Sequence, residues 1–270
     1  MKRDNVYFIT SDIHSYYTKL REALDKAGWS DKAKHHILVC LGDLFDRGDE
    51  SKELLDFVQK LGDRFIYIKG NHEYLLKDAL DEIYKGQFPS SHHWHNGTIN
   101  TICQLADMSI MEMYALNDTR IEKIRQALNP VLEYIETKSV PYIELDKYIL
   151  VHSWIPLDDY DYLGDWKAAS TDKWISASWG NPFIMWKNKL YPENNCIIFG
   201  HWHCSYGNSI IDMKTKEWPQ KNQLKAMDKA FMPWVKENAI GIDACTAYSG
   251  KVNILKYHRG ELYYGSKALN

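Results

Sequence analysis

The chain has 270 residues, 45% of them hydrophobic, which is enough to bury a sizeable core as one large domain or two small ones. A formal net charge of -3 argues against a nucleic-acid-binding protein, because such proteins usually carry an excess of basic residues. Five scattered cysteines, an N-terminus unlike a signal peptide and no apolar run of roughly 18 residues predict a cytoplasmic protein without disulfides or membrane spans.

The first seventy residues alternate between apolar runs typical of buried strands and amphipathic stretches typical of helices. Strands are predicted over residues 6–10, 35–42 and 64–70, and helices over residues 16–28 and 51–62. Both helices end at a glycine, and Ser51 is the expected N-cap of the second. This β-α-β-α-β order predicts parallel strands joined by right-handed crossovers.

The rest of the chain predicts a helical region, a hairpin and several short strands. In chain order these are a helix at 72–86, helices across 97–138, a hairpin at 140–153, an irregular tryptophan-rich stretch at 154–190, a strand within 195–203, and antiparallel strands at 239–244, 251–258 and 261–266. We therefore expect a single domain over 1–270 of the α/β class (α+β in some schemes), with a helical cap insertion at about 85–139.

Polar side chains cluster at five predicted strand ends. They are Asp12 and His14; Asp43, Asp46 and Arg47; Asn71, His72 and Glu73; His152; and His201 and His203. Side chains two apart on a strand share a face. The intervals from Asp12 to Asp43 and from Asp43 to Asn71 are 31 and 28 residues, about one βαβ unit each. These side chains should therefore meet at the carboxyl edge of a parallel sheet.

The candidate metal ligands are two carboxylates, one amide and four imidazoles: Asp12, Asp43, Asn71, His14, His152, His201 and His203. Such a mixed oxygen and nitrogen set suits Mn, Fe or Zn better than Ca, and two ions better than one. Asp43 could bridge the two ions. Paired ions about 3.5–4 Å apart can activate water and stabilise an in-line displacement at phosphorus.

The ordered motifs Asp12-x-His14, "GDLFDRG" (42–48), "GNHE" (70–73), His152 and "GHWH" (200–203) resemble those of the calcineurin-like metallophosphoesterases. The resemblance is strongest to the Ser/Thr protein phosphatase branch, including bacterial and phage members and the related symmetrical diadenosine tetraphosphatases. It implies the metallo-dependent phosphatase fold, a two-sheet β-sandwich core flanked by helices. The tail at 239–257 is similar to the closing strand pair of that branch.

The resemblance also implies residue roles. One ion would be held by Asp12, His14, Asp43 and His203, and the other by Asp43, Asn71, His152 and His201. The phosphorus would be attacked directly by a metal-bridging hydroxide, with manganese the first choice of metal and iron or zinc as alternatives. His72 would protonate the leaving group, oriented by Asp46. The expected substrate contacts are Arg47, Asn71, Lys69 and Lys187.

Three functional hypotheses stay open on the sequence alone. The leading one is a phosphomonoesterase acting on a phosphoprotein or a nucleotide. The second is a dinucleoside-polyphosphate hydrolase or nucleotide phosphodiesterase, for which Trp154 or Trp202 could stack on a base. The third is a non-catalytic scaffold, which the intact His72, Asp46 and Arg47 argue against. The oligomeric state is not predicted.

Several other residues invite a functional interpretation but have a structural one. The histidines of "SHHWHNG" (91–97) could form a second metal cluster or line the substrate mouth. That stretch lacks a regular frame and a carboxylate, so we predict a polar loop. Glu73 is predicted to be structural at a helix start, Cys204 to pack in the core, and the tryptophans at 154–186 to pack in the core or at its rim.

Overall fold

The computed structural model describes residues 4–158, 161–162, 164–208 and 229–269. Its helices are α1 Tyr17–Ala27, α2 Ser51–Leu61, α3 Asn71–Tyr84, α4 Ser91–Asn96, α5 Thr98–Leu105, α6 Ile110–Tyr114, α7 Asp118–Lys138, α8 Thr171–Ala177, α9 Pro182–Lys187 and α10 Thr246–Ser249. Short 3-10 turns cover Gly62–Arg64 and Trp166–Ala168. No described helix is both long enough and apolar enough to cross a membrane.

The strands of the described chain form two main sheets and a small ribbon. They are β1 Val6–Thr10, β2 His36–Cys40, β3 Phe65–Ile68, β4 Ser139–Val140, β5 Ile143–Leu145, β6 Tyr148–Leu150, β7 Leu157–Asp158, β8 Asp161–Tyr162, β9 Cys196–Phe199, β10 Trp234–Lys236, β11 Ala239–Gly241, β12 Leu255–His258, β13 Glu261–Tyr264 and β14 Lys267–Ala268. One sheet has the order β14-β13-β12-β1-β2-β3-β4 and the other β10-β11-β9-β6-β5, while β7 pairs with β8.

The predicted parallel core is confirmed. β1 pairs in parallel with β2, and β2 with β3. A further parallel pair, which was not predicted, joins β6 and β9 in the second sheet. The predicted hairpin is also present, with β5 and β6 antiparallel around Asp146 and Lys147. One strand prediction was wrong: β11 is parallel to β9 and antiparallel only to β10. The direction of β11 relative to its neighbours depends on which strands it pairs with, and the local sequence pattern does not encode this pairing.

Alternation along each strand divides the core into layers. In β1, Tyr7 and Ile9 pack toward the second sheet together with Leu150 and Ile198, whereas Phe8 packs under the helices. On the outer face of the second sheet, Phe199 packs with tryptophans of the 154–186 stretch. The order of layers is therefore helices, sheet, sheet and aromatic-rich segment, which agrees with the predicted two-sheet fold class.

The helical prediction for 97–138 is confirmed by α5, α6 and α7. The irregular prediction for 154–190 was partly wrong, because Ser170 and Asn181 accept backbone hydrogen bonds at the starts of α8 and α9 and so act as N-caps. The single-domain organisation and the limits of the cap insertion stay predictions.

Two smaller expectations were also wrong. Ser51 is the first residue of α2 rather than its N-cap, and its hydroxyl bonds the hydroxyl of Ser15 instead. The stretch 91–96 forms α4 rather than a loop. A helix this short depends on packing against its neighbours, here Trp94 against Phe88 and Tyr114. Its six residues are too few for the hydrophobic periodicity to indicate a helix.

Candidate metal centre and active site

The carboxylate of Asp43 lies at the centre of the convergent strand ends. Its Oδ2 is 3.8 Å from Nε2 of His14 and 3.9 Å from Nε2 of His72, and its Oδ1 is 3.4 Å from Nε2 of His152. These side chains come from the ends of β1, β2, β6 and the start of α3, so the structure brings together the residues that sequence spacing placed at one edge.

Two groups of side chains could each hold an ion. They are His14, Asp43 and His72, and Asp43, His152 and His201, and the ligand atoms within each group lie within 4.8 Å of one another. Asp43 belongs to both groups, which is the arrangement that a carboxylate shared by two ions requires.

The hydrogen bonds of the imidazoles fit metal binding. His14 Nδ1 is 2.9 Å from the carbonyl oxygen of Phe45, and His152 Nδ1 is 2.7 Å from that of Leu41. Each ring therefore donates through Nδ1 and keeps a lone pair on Nε2. His152 Nε2 lies 2.8 Å from the side-chain amide of Asn71, so two predicted ligands of the same ion are adjacent. The residues present therefore fit a divalent metal.

Burial and the neighbouring ionisable groups together set the charge states of this cluster. Burial alone would raise the pKa of Asp43, but the imidazoles of His152, His72 and His14 outweigh it and lower the pKa. Burial lowers the pKa of His14, and it lowers that of His201 to about 3, so both rings are neutral near pH 7. A neutral imidazole beside an ionised carboxylate is the state that binds a metal ion.

Asp12 and His203 flank the two groups rather than belonging to them. Oxygens Oδ2 and Oδ1 of Asp12 accept from the backbone N–H of His201 at 2.9 and 3.1 Å, and Asp12 also accepts from Ser11. Burial, together with the negative charges of Asp243 and Asp43, raises the pKa of Asp12. Burial and Arg47 lower the pKa of His203 to about 4. Their ligation stays a prediction.

A buried His–Asp pair lies beside Asp43. His72 Nδ1 is 2.7 Å from Oδ2 of Asp46, and both side chains are shielded from solvent. The Asp46 carboxylate also accepts from the hydroxyls of Thr98 at 2.8 Å and Thr101 at 2.9 Å, both on α5. Burial alone would lower the pKa of His72, but Asp43 and Asp46 outweigh it and raise the pKa. A raised pKa favours the protonated ring that a proton donor needs.

Arg47 is the exposed member of the cluster. Its Nη1 lies 2.9 Å from Nε2 of His14 and its Nη2 lies 3.2 Å from Nε2 of His72, so the guanidinium covers the solvent side of both rings. Lys69 already has a partner, because its Nζ is 2.6 Å from Oε1 of Glu136. Lys187 is exposed in the last turn of α9. The substrate-binding roles of these residues stay predictions.

Backbone strain is concentrated in the cluster. Positive φ angles between 50° and 76° occur at Asp12, His14, Asp43, Asp46, Arg47 and His201. Non-glycine residues adopt this region at a cost, and such residues tend to collect at functional sites. The strain lets consecutive residues turn their side chains into one small volume just after a strand ends.

The structure confirms the structural readings of three residues. Glu73 accepts from the backbone amides of Gly70, Asp43 and Leu44 and so ties the start of α3 to the loop after β2. Cys204 is buried and bonds the carbonyl of Gly241. Trp154 is 1% exposed, so its ring has no face free for a base, which contradicts the stacking hypothesis at that residue.

Sequence reasoning missed three residues of the site. Thr98 and Thr101 contact Asp46 from more than fifty residues away, and no local pattern links them to it. Asp243 is a buried acid whose pKa burial raises to about 6, and it influences the pKa of Asp12. It lies two residues after the end of β11 in "GIDA", as Asp12 lies two residues after the end of β1, so the strand-end rule that selected Asp12 could have found it.

The convergent ligand groups at the strand ends are of the kind that a metallophosphoesterase requires, and sequence comparison gives the family. The chain belongs to the calcineurin-like phosphoesterase family, whose sequence profile matches residues 7–208.

Named relatives fall into two groups. The chain is 39% identical over 250 residues to the symmetrical bis(5'-nucleosyl)-tetraphosphatase of Buchnera aphidicola subsp. Baizongia pistaciae, covering 85% of this chain and 77% of that protein. It is 28% identical over 216 residues to serine/threonine-protein phosphatase 2 of Salmonella typhimurium, covering 76% and 83%. The match to the tetraphosphatase of Buchnera aphidicola subsp. Acyrthosiphon pisum (strain Tuc7) is 37% identical over 94 residues and spans only 33% of that relative.

A solved structure with the same fold is that of a cold-active protein-tyrosine phosphatase from a psychrophilic Shewanella. The TM-score is 0.52 at 15% identity, with all of this chain and 83% of the other covered. At that identity the likeness supports the fold alone.

Proposed function

We propose that this protein is a metal-dependent phosphoric ester hydrolase that cleaves phosphomonoesters, such as phosphoserine or phosphothreonine in a protein. The observation that carries the proposal is that the Asp43 carboxylate lies among the imidazoles of His14, His152 and His201, while His72, which also faces Asp43, is held through Nδ1 by Asp46. The proposal includes two divalent ions, with manganese first and iron or zinc as alternatives, and a cytoplasmic location.

The ions would be held by Asp12, His14, Asp43 and His203 on one side and by Asp43, Asn71, His152 and His201 on the other. When bound, they would supply activated water and charge stabilisation at the phosphoryl oxygens. The planar fork of Arg47, which faces solvent above His14 and His72, would bind two oxygens of the phosphate. Its place at the open side of a buried cluster supports a substrate contact.

His72 would give its Nε2 proton to the oxygen of the departing alcohol. The bond from Nδ1 to Asp46 fixes the orientation of the ring, and the two threonine hydroxyls fix Asp46 in turn. A fixed ring reduces the loss of entropy in the transition state and so raises the rate of proton transfer. These contacts support a role for His72 as a general acid rather than as a fifth metal-binding histidine.

Hydrolysis of p-nitrophenyl phosphate with added Mn²⁺ tests the proposal. Wild-type protein should turn it over, and Asp43→Asn should abolish turnover because both ligand groups lose their shared carboxylate. Asp49→Asn is the matched control, since it removes an exposed acid from the same loop. A wild-type rate for Asp43→Asn would contradict the proposed role of the shared carboxylate. No turnover by the wild type with any divalent metal would contradict the proposal as a whole and favour the scaffold hypothesis.

A second candidate is hydrolysis of a dinucleoside polyphosphate or another nucleotide diester. A cavity of about 330 Å³ adjoins the site, since His152 lines it together with Tyr74, Trp174, Lys69 and Lys167. Aromatic rings and ammonium groups at that place could receive a nucleoside and its phosphates. Comparing a phosphopeptide, diadenosine tetraphosphate and bis-p-nitrophenyl phosphate separates the candidates; no activity on the last two would remove this one.

A further inference from the structure

Two histidines and two acids converge in the helical region, outside the ligand groups described above. His92 and His93 lie on α4, while Asp78 and Glu82 lie four residues apart on α3 and so share one face of that helix. Ligand atoms of Asp78, His92 and His93 lie within 4.8 Å of one another. The carboxylates that the sequence stretch 91–97 lacks are therefore supplied by the preceding helix.

His93 is the residue that calls for an explanation. Its side chain is 0% exposed, yet within the described part of the chain neither of its ring nitrogens has a hydrogen-bond partner. Buried polar atoms nearly always have a partner, because an unsatisfied one costs free energy on folding. The other buried imidazoles, those of His14, His72 and His152, each bond through Nδ1.

The distances around His93 match those between ligands of one ion. Its Nε2 is 3.4 Å from Oδ2 of Asp78 and 3.8 Å from Oε2 of Glu82, and Nε2 of His92 is 3.7 Å from the same Asp78 oxygen. Ligands bonded to zinc at about 2.0–2.2 Å in a tetrahedron are separated by about 3.4 Å. None of these three pairs makes a hydrogen bond, although each is within ion-pair distance, and Oε2 of Glu82 also accepts from the backbone N–H of Ser90 at 2.7 Å.

We propose that Asp78, His92 and His93, with Glu82 as a fourth donor, form a structural site for Zn²⁺ or a similar transition metal ion. Two imidazoles with carboxylates are the ligands of zinc, whereas magnesium and calcium prefer oxygen alone. The half-exposed side chains of Asp78 and His92 leave the ion a path from solvent.

Such an ion would link α4 to α3, because its ligands come from both helices. α4 ends next to Gly97, which contacts the backbone of Arg47, and next to Thr98, which bonds Asp46. The proposed zinc site would thus stabilise the segment that supports the His72–Asp46 pair while contributing no ligand to the ions at Asp43.

The test is the number of zinc ions bound per chain. The full-length protein is stripped with a chelator, dialysed against micromolar zinc chloride and measured by plasma mass spectrometry. The variant Asp78→Asn/His92→Asn changes side chains that are 61% and 49% exposed, so the fold should tolerate it. It should bind one zinc fewer per chain than the wild type, and its thermal unfolding should lose part of the shift that zinc gives the wild type.

The control is Asp81→Asn/His95→Asn, which makes the same two changes at exposed positions of the same two helices. It should bind as much zinc as the wild type. Circular dichroism checks that each variant is folded; if the double variant is not, the single His92→Asn replaces it and must show the same loss. An equal zinc count in the wild type and the folded variant overturns the proposal. Because the readout is a metal count, it does not depend on any hydrolytic activity.

Discussion

Replacing Gly97 by alanine should displace active-site residues, although Gly97 itself lies in the helical region. Gly97 separates α4 from α5 and has φ of +85°, and a Cβ atom built there would lie 2.4 Å from the backbone nitrogen of Arg47. Arg47 and Asp46 are adjacent, so a displacement of that backbone moves both the proposed phosphate contact and the partner of His72.

The structure also offers a matched control for the magnitude. Gly86 has φ of +73° but a Cβ atom there would meet nothing within 4 Å. Both substitutions place alanine in the left-handed region, at a cost of roughly 1–2 kcal/mol. Only Gly97→Ala adds a clash inside packed structure, which typically costs a further 1–3 kcal/mol or so. We therefore expect Gly86→Ala to lose about 1–2 kcal/mol of stability and Gly97→Ala about 2–5 kcal/mol.

The assay combines urea unfolding with hydrolysis of p-nitrophenyl phosphate in Mn²⁺. Gly86→Ala should keep the wild-type kcat/KM, whereas Gly97→Ala should lose at least about tenfold, since small misplacements of catalytic groups cost that much or more. Equal stability and equal activity of the two variants would show that the close contact between Gly97 and Arg47 does not support the active site.

Two other predictions concern single contacts. Thr98→Val/Thr101→Val should lower kcat at least about fivefold for alkyl phosphates and less for p-nitrophenyl phosphate, because Asp46 loses two hydrogen bonds worth roughly 1.5–3 kcal/mol each. The control, Thr98→Ser/Thr101→Ser, keeps both hydroxyls and should resemble the wild type. Equal rates for all three proteins would count against a role of the two threonines in positioning Asp46. Trp154→Phe removes the 2.7 Å hydrogen bond from Nε1 to the Leu190 carbonyl and should lower the free energy of unfolding in urea by about 1–3 kcal/mol. The value of kcat/KM should not change. A loss of activity without a loss of stability would instead show that the ring contacts the substrate.

The sequence predicted the parallel core and the convergence at Asp43 because both follow from short-range rules. Period-two alternation defines the strands, and spacings near thirty residues bring Asp12, Asp43 and Asn71 to neighbouring strand ends. Glu73 was also predictable in kind, since an acid in the first turn of a helix commonly accepts backbone hydrogen bonds.

The contacts that sequence could not provide join distant segments. Thr98 and Thr101 reach Asp46 across more than fifty residues, and the direction of β11 depends on its pairing with β9. The stretch that forms α4 was predicted to be a loop without a nearby carboxylate, because the acids that face its histidines, Asp78 and Glu82, lie on the preceding helix α3. In each case the deciding interaction is tertiary packing, which local propensity does not encode.

The most direct test of the central claim, that Asp43 is shared by two ions, is the electron paramagnetic resonance spectrum of the Mn²⁺-loaded protein. Two manganese ions about 3.5–4 Å apart are close enough for their spins to couple. We expect a spin-coupled spectrum for the wild type that is lost in Asp43→Asn. A wild-type spectrum of isolated, uncoupled ions would contradict it.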